Sequence, residues 1–217
     1  MNNEQQVKLI AITGGSGSGK SWLAKELKKR LDAEAAILSL DDFYFDLSGL
    51  PPEAREGINY DHPQTIDWPR FEEVLNDCLD GRMTGIPQYD FTTHTRLPMV
   101  KIFQPAPLVL VEGLWLLQQP KLRSWFSLKI FLDCPEQIRM KRRLVRDVTG
   151  RGRTPDSIRE QFINDVVPMH EHYVAPQMAY ADITLRGEPG EFELREMVEI
   201  LHYIALEKPE PRIASNF

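Results

Sequence analysis

Short apolar runs alternate with longer periodic segments along the chain. "VKLIAIT", residues 7–13, is β-branched and apolar, the pattern of a buried strand. From Lys20 onward Leu23, Leu27 and Leu31 recur every four residues and predict an amphipathic helix. Three further apolar runs end in acidic residues: "ILSL" leads into "DDFYFD", "LVLVEG" reaches Glu112, and "KIFLD" reaches Asp133. A helix is expected after Asp133. At 100° per residue its Arg139, Arg142, Arg143 and Arg146 fall within an arc of about 100°. Ile138, Met140, Leu144, Val145 and Val148 fall on the opposite side, with Lys141 left to snorkel. The pattern predicts one core face and one guanidinium face.

Between the first strand and the first helix lies "GGSGSGKS", Gly14, Gly15, Ser16, Gly17, Ser18, Gly19, Lys20 and Ser21. A Gly/Ser linker would be the plain reading, but it leaves the lysine–serine pair and the preceding strand unexplained. Glycine tolerates positive φ and has no Cβ, so backbone N–H groups can turn inward there. The helix N-terminus adds partial positive charge, and the turn becomes a cradle for phosphate oxygens. The segment satisfies G-x-x-x-x-G-K-[ST] in its required strand–turn–helix context. It implies binding of a nucleoside triphosphate, with Lys20 reaching the β- and γ-phosphates and the Ser21 hydroxyl on Mg²⁺.

Composition changes this picture little. With 217 residues, 42% hydrophobic and 27% charged, the chain is expected to form one α/β domain with an appendage. No apolar run is long enough for a membrane span, "MNNEQQ" is not a signal peptide, and a cytoplasmic location is expected. Cys78 and Cys134 lie outside any metal-ligand spacing and suggest reduced thiols. Residues 207–217 read as a loose tail. The net charge of −6 argues against a general nucleic-acid binder. Residues 139–153, however, hold seven basic side chains and one acidic one, which points to a confined anionic ligand.

"DVTG" at 147–150 resembles a GTPase switch, but it ends a basic helix and no N-K-x-D accompanies it, so a GTPase is a poor reading. Glu112 and Asp133 both end strands, where open α/β sheets bind ligands. Asp133 precedes a helix and suits a helix-start role, which leaves Glu112 for Mg²⁺. Asp41, first off its strand, is the candidate base for a hydroxyl, with helix capping or a loop hydrogen bond as its competing role. "GRGRTP" carries Arg151 and Arg153 on a Gly-rich hinge, at about 147–155, and looks like a lid over phosphates.

"GGSGSGKS", "DDFY", "NYDHP", "YDFTTHTR", "LVLVEG", "RRLVRDVTGRGR" and "YADI" occur in the order found in uridine–cytidine kinases, within the phosphoribulokinase/uridine kinase group. The chain resembles that family over roughly residues 8 to 185. The resemblance implies an α/β P-loop NTPase fold: a five-stranded parallel sheet flanked by helices, an Arg-rich lid, and a β-hairpin insertion at about 83–104 over the nucleoside. It makes Asp41 the general base and gives Ser21 and Glu112 to Mg²⁺. Asp61 and Arg143 would hold the ribose hydroxyls, with Tyr44 and Gln161 nearby. Tyr89 and His94 would read the base edge with Arg153, Tyr60 and Phe91 would pack around it, and Arg146 and Arg151 would serve the phosphates. A tyrosine hydroxyl and a neutral imidazole can each donate or accept, so one pocket suits both uracil and cytosine. Tyr60, Asp42 and the lid's "TG" depart from the usual family pattern.

The expected activity is phosphorylation of the 5′-hydroxyl of uridine and cytidine, with Mg²⁺ and ATP or GTP, by a homo-oligomer, dimer or tetramer. A relative acting on nicotinamide riboside, ribulose 5-phosphate or pantothenate is one alternative. A non-catalytic nucleotide-binding regulator is another, although it would have no need of Lys20, Asp41, Arg146 and Arg151.

Overall fold

The computed structural model describes residues 6–206; the tail expected at 207–217 lies outside them. In chain order the elements are β1 (Lys8–Gly14), α1 (Lys20–Leu31), β2 (Ala35–Ser39), α2 (Pro52–Glu56), α3 (Trp68–Leu79), β3 (Thr84–Ile86), β4 (Tyr89–Asp90), β5 (Thr95–Arg96), β6 (Lys101–Phe103), β7 (Leu108–Gly113), α4 (Pro120–Arg123), β8 (Phe126–Asp133), α5 (Glu136–Arg151), α6 (Pro155–Gln161), α7 (Val167–Met169), β9 (Ile183–Arg186) and α8 (Glu191–Leu206).

Five strands form a parallel sheet in the order β2-β7-β1-β8-β9. The central strand β1 reads as an unbroken apolar run because both of its faces are covered. Leu9 and Ala11 enter one core with Phe71, Val74 and Leu75 of α3, while Ile10 and Ile12 enter the other with Leu23 and Leu27 of α1 and Leu194 and Leu201 of α8. The five-stranded α/β expectation therefore holds. Between α3 and β7 the chain leaves the sheet and forms two antiparallel pairs, β3 with β6 and β4 with β5. Arg96 of β5 ties the second pair to the body: its Nε donates to Tyr44 O at 2.7 Å, and its Nη2 pairs with Asp67 at 3.1 Å. Cys78 and Cys134 are free and buried.

Two local expectations are corrected. Asp133 is the last residue of β8 and does not start the helix. The cap position of α5 is Pro135, whose carbonyl accepts the N–H groups of Ile138 and Arg139 at 3.0 Å. The apolar side of α5 is also not its buried side. Its buried residues are Arg139, Arg143 and Asp147, 3%, 5% and 0% exposed, whereas Ile138, Val145 and Val148 are 43%, 62% and 41% exposed. The helix leans its polar stripe on the glycine-rich turn, so closely that a Cβ at Gly17 would lie 2.5 Å from Arg139 O.

Candidate active site

The site lies at the C-terminal ends of the central strands. After β1 the chain turns through Gly14–Gly19 into α1. Gly17 has φ +80°, a region costly for residues with a Cβ, and Gly14, at φ +145°, would place a Cβ 2.6 Å from Leu132 O. Lys20 opens α1 and is buried, its Nζ donating to Gly15 O at 3.0 Å. Burial lowers the Lys20 pKa, and the charges of Glu112 and Asp41 oppose that shift.

Glu112 is the next-to-last residue of β7, beside Ser39, its parallel neighbour in register, whose Oγ donates to Glu112 Oε1 at 2.6 Å. Burial raises the Glu112 carboxyl above the ordinary range, Asp41 raises it further, and Lys20 and hydrogen bonds from Ser39 and Ser21 pull it back. A buried carboxylate and a hydroxyl in contact with it form an oxygen-only donor pair, which suits a hard divalent cation completed by ligand oxygens. Asp41 sits in the helical turn Leu40–Phe43 after β2, with its N–H on Ser39 Oγ at 3.3 Å.

One cavity of about 300 Å³ unites these groups with the rest. Ser16, Gly17, Gly19, Lys20, Ser21, Asp41 and Glu112 line one end. Tyr44, Tyr60, Asp61, Tyr89, Phe91 and His94 line the other, and Arg143, Arg146, Arg151, Arg153 and Gln161 stand beside both. Of the residues singled out from sequence, only Gly14, Gly15 and Ser18 stand outside its wall. Gly14 and Gly15 shape the turn, and Ser18 lines a neighbouring cavity.

At the acceptor end Asp61 meets Arg143, with Oδ1–Nη1 at 3.3 Å and Oδ2–Nη2 at 3.4 Å. Arg143 also donates to Ser16 Oγ at 3.0 Å and to Gln161 Oε1 at 2.9 Å; Arg153 shares that same oxygen. The turn after Asp61 is capped by His62, which accepts the Gln64 N–H, and Asp61 is left to the cavity. His94, at φ +55°, stacks on Tyr60 with ring centroids 4.1 Å apart, and its Nδ1 lies 3.4 Å from the Tyr89 hydroxyl. Burial and the charges of Arg151, Arg153 and Arg55 lower the His94 pKa below 6.5. The imidazole is therefore neutral at pH 7, with one donor and one acceptor nitrogen. Burial also drives the Tyr89 hydroxyl well above its ordinary pKa, so it stays protonated.

Sequence reasoning gave no individual site role to four neighbours of the site, although Arg142 was counted on the guanidinium face. Asp147 was noticed only as part of "DVTG", although an acid four residues after Arg143 and flanked by arginines is itself a signal. Trp22 and Arg142 line both this cavity and a second one of about 200 Å³, which Leu132, Gly187, Glu188 and Pro189 complete. Arg96, though inside a quoted motif, had no sequence mark of its anchoring role.

Among known proteins, the model of the "Phosphoribulokinase / Uridine kinase family" matches residues 9–190. The chain is 38% identical over 178 residues to a uridine kinase of Deinococcus deserti, and 40% identical over 178 residues to one of Clostridium botulinum. Each alignment covers 82% of this chain and 86% of the relative. Its fold is similar to that of phosphoribulokinase from Rhodobacter spheroides, with TM-score 0.61 and 18% identity over 84% of this chain and 71% of that one. The order of strands, the glycine-rich turn and these matches agree, and the chain belongs to the phosphoribulokinase / uridine kinase family.

Proposed function

We propose that the protein is a kinase that transfers the γ-phosphate of a purine nucleoside triphosphate to the 5′-hydroxyl of uridine or cytidine. The observation that carries this reading is the single cavity that Lys20, Asp41 and Glu112 line together with Asp61, Tyr89 and His94. The relatives bearing the name uridine kinase support the same assignment.

In this reading the turn's N–H groups and Lys20 hold the donor's phosphates. Asp41 orients the acceptor hydroxyl and takes its proton. Ser21 and Glu112 would hold Mg²⁺, whose chemistry when bound is to neutralise charge on the β- and γ-phosphate oxygens. Arg146 and Arg151 answer the charge that develops on the transferring group. Asp61 accepts hydrogen bonds from the 2′- and 3′-hydroxyls while Arg143 donates into the same network. Tyr89 and His94 read the pyrimidine edge and tolerate either a carbonyl or an amino group, because each side chain can donate or accept.

The second cavity adjoins the α1 end of the phosphate turn and shares Gly19, Trp22 and Arg142 with the first. A base attached beyond the α-phosphate falls there, between Trp22 and Leu132, under the Arg142–Glu188 pair at 2.9 Å. No described helix is long and apolar enough to cross a membrane.

A panel of uridine, cytidine, nicotinamide riboside, ribulose 5-phosphate and pantothenate with Mg·ATP, scored by product mass, tests the proposal. UMP and CMP are the expected products. Turnover of another alcohol with uridine and cytidine untouched would overturn the base assignment, and no turnover at all would favour a nucleotide-binding regulator.

A further inference from the structure

Helix α5 buries three charged residues at four-residue spacing, Arg139, Arg143 and Asp147, while exposing valines and an isoleucine. Buried charge is costly unless paired, so such a stripe calls for a physical reason. Asp147 is the least expected member. Its side chain is fully buried, it does not line the cavity, and none of its ion pairs is with a residue of the phosphate turn. It touches arginines instead. Oδ1 accepts the Arg146 Nε–H at 2.7 Å and lies 3.5 Å from Arg151 Nη1, while Arg143 Nε stands 3.4 Å from Oδ2. Its main-chain oxygen accepts the N–H groups of Gly152 and Arg153, where the helix ends and the proposed lid begins.

We propose that Asp147 is a positioning residue that arrays Arg146 and Arg151 for the transferring phosphoryl group; this rests on the kinase reading above. Guanidinium groups converging on one cavity repel each other, and without a ligand the repulsion would drive them apart. A single carboxylate behind them offsets it. Asp147 takes the Nε edge of Arg146 by a hydrogen bond and stands against that of Arg143 as an ion pair without one, so each terminal fork is left to face the cavity. Burial by itself would raise the Asp147 carboxyl, but the Arg146 hydrogen bond and the charges of Arg146, Arg151 and Arg143 outweigh it and hold the pKa below the usual carboxylate value. The counter-charge is thus present throughout the neutral range.

The three arginines depend on Asp147 unequally. Arg143 has Asp61, Ser16 and Gln161 to hold it. Arg151 has otherwise the face of Phe91, 4.1 Å from its guanidinium carbon. Arg146 makes its hydrogen bond to Asp147. Loss of the carboxylate therefore strikes the phosphate-facing pair and spares the sugar-facing one. That inequality separates a positioning role from a general contribution to stability.

The experiment compares wild type, Asp147→Asn and Asp147→Ala in steady-state turnover of uridine, with thermal melting as the fold control. Wild-type turnover of uridine establishes the kinase reading independently of the variants. Asp147→Asn is expected to lower kcat by about 10- to 1,000-fold, within the range for losing a preorganised charge, with uridine KM changed less than about threefold. In Asp147→Ala, added formate should enter the vacated space and raise kcat several-fold, while chloride at equal ionic strength does not. Folded variants with wild-type kcat would overturn the proposal. So would kcat losses matched by equal losses of uridine affinity, the absence of any formate response, or variants that show no cooperative melting, because Asp147 would then serve the fold alone.

Discussion

Removing the ribose contacts of Asp61 gives the most quantitative test of the acceptor end. In Asp61→Ala the carboxylate is lost from a pocket where it is 7% exposed. The substrate counterpart is deoxyuridine, which lacks one of the two hydroxyls that the carboxylate would accept. A hydrogen bond to a charged group is worth about 1.5–3 kcal/mol net, which corresponds to roughly 10- to 150-fold in kcat/KM. Sites of this kind can discriminate by about 10⁴-fold when a buried group is left with no partner. Asp61 is not in that position, since Arg143 stays 3.3–3.4 Å from both carboxylate oxygens whether or not the 2′-hydroxyl is present. The lower range is therefore expected. Arg143 also keeps Ser16 and Gln161 in the variant. The loss of stability should accordingly stay near the about 1–3 kcal/mol of one unsatisfied group, short of the about 3–5 kcal/mol of a fully broken buried pair. The assay is kcat/KM for uridine and deoxyuridine in wild type and Asp61→Ala, with chemical denaturation alongside. A wild-type preference that collapses toward unity in the variant agrees with the reasoning. Equal rates on both sugars in the wild type, or a preference that survives the substitution, would refute it.

Asp41→Asn should lower kcat by about 10²–10⁴-fold with little change in uridine KM, because a positioned base is lost and the binding groups remain; a collapse of nucleoside affinity with kcat intact would make Asp41 a binding residue. Trp22→Ala should weaken ATP binding by roughly 5- to 20-fold, toward the lower end for base–aromatic stacking because the residue is 38% exposed, while uridine KM holds. Unchanged ATP affinity by calorimetry would remove the donor base from the second cavity. Burial and the neighbouring Asp41 raise the Asp42 carboxyl to about 6. A raised acid favours the folded state below its unfolded pKa of about 3.8, and that advantage is lost as pH climbs to about 6. Asp42→Asn should therefore be more stable than wild type at pH 8, by at most about 3 kcal/mol, and gain little at pH 4; an equal gain at both values, measured by melting, would rule out titration of Asp42 as the cause.

Much of the site was legible because its signals are local. A β-branched run, glycines at a turn and a lysine–serine pair act within a few residues of one another, and the local backbone carries the chemistry. Glu112 and Asp41 could be proposed because strand ends are where an open parallel sheet exposes its ligand-binding edge. The hairpin residues were different. Tyr89 and His94 carried no periodic or spacing signal, and only the resemblance of "YDFTTHTR" singled them out. Trp22 was overlooked because its partners, Leu132 and Gly187–Pro189, come from strands and loops more than a hundred residues away.

The sequence by itself determined the alternating α/β pattern, the phosphate turn and the residue types available for phosphoryl transfer. The tertiary structure decided which way α5 faces. Periodicity shows that a helix has two unlike sides, but it does not say what each side meets. Here the inner side meets the phosphate turn and the cavity, where Asp61 and Asp147 compensate the buried Arg143, so Arg139, Arg143 and Asp147 go in and Val145 and Val148 stay out. The same holds for the pairing of Asp61 with Arg143, 82 residues apart. An ion pair across that distance depends on where the folded sheet brings a loop and a helix together, and no local propensity encodes it.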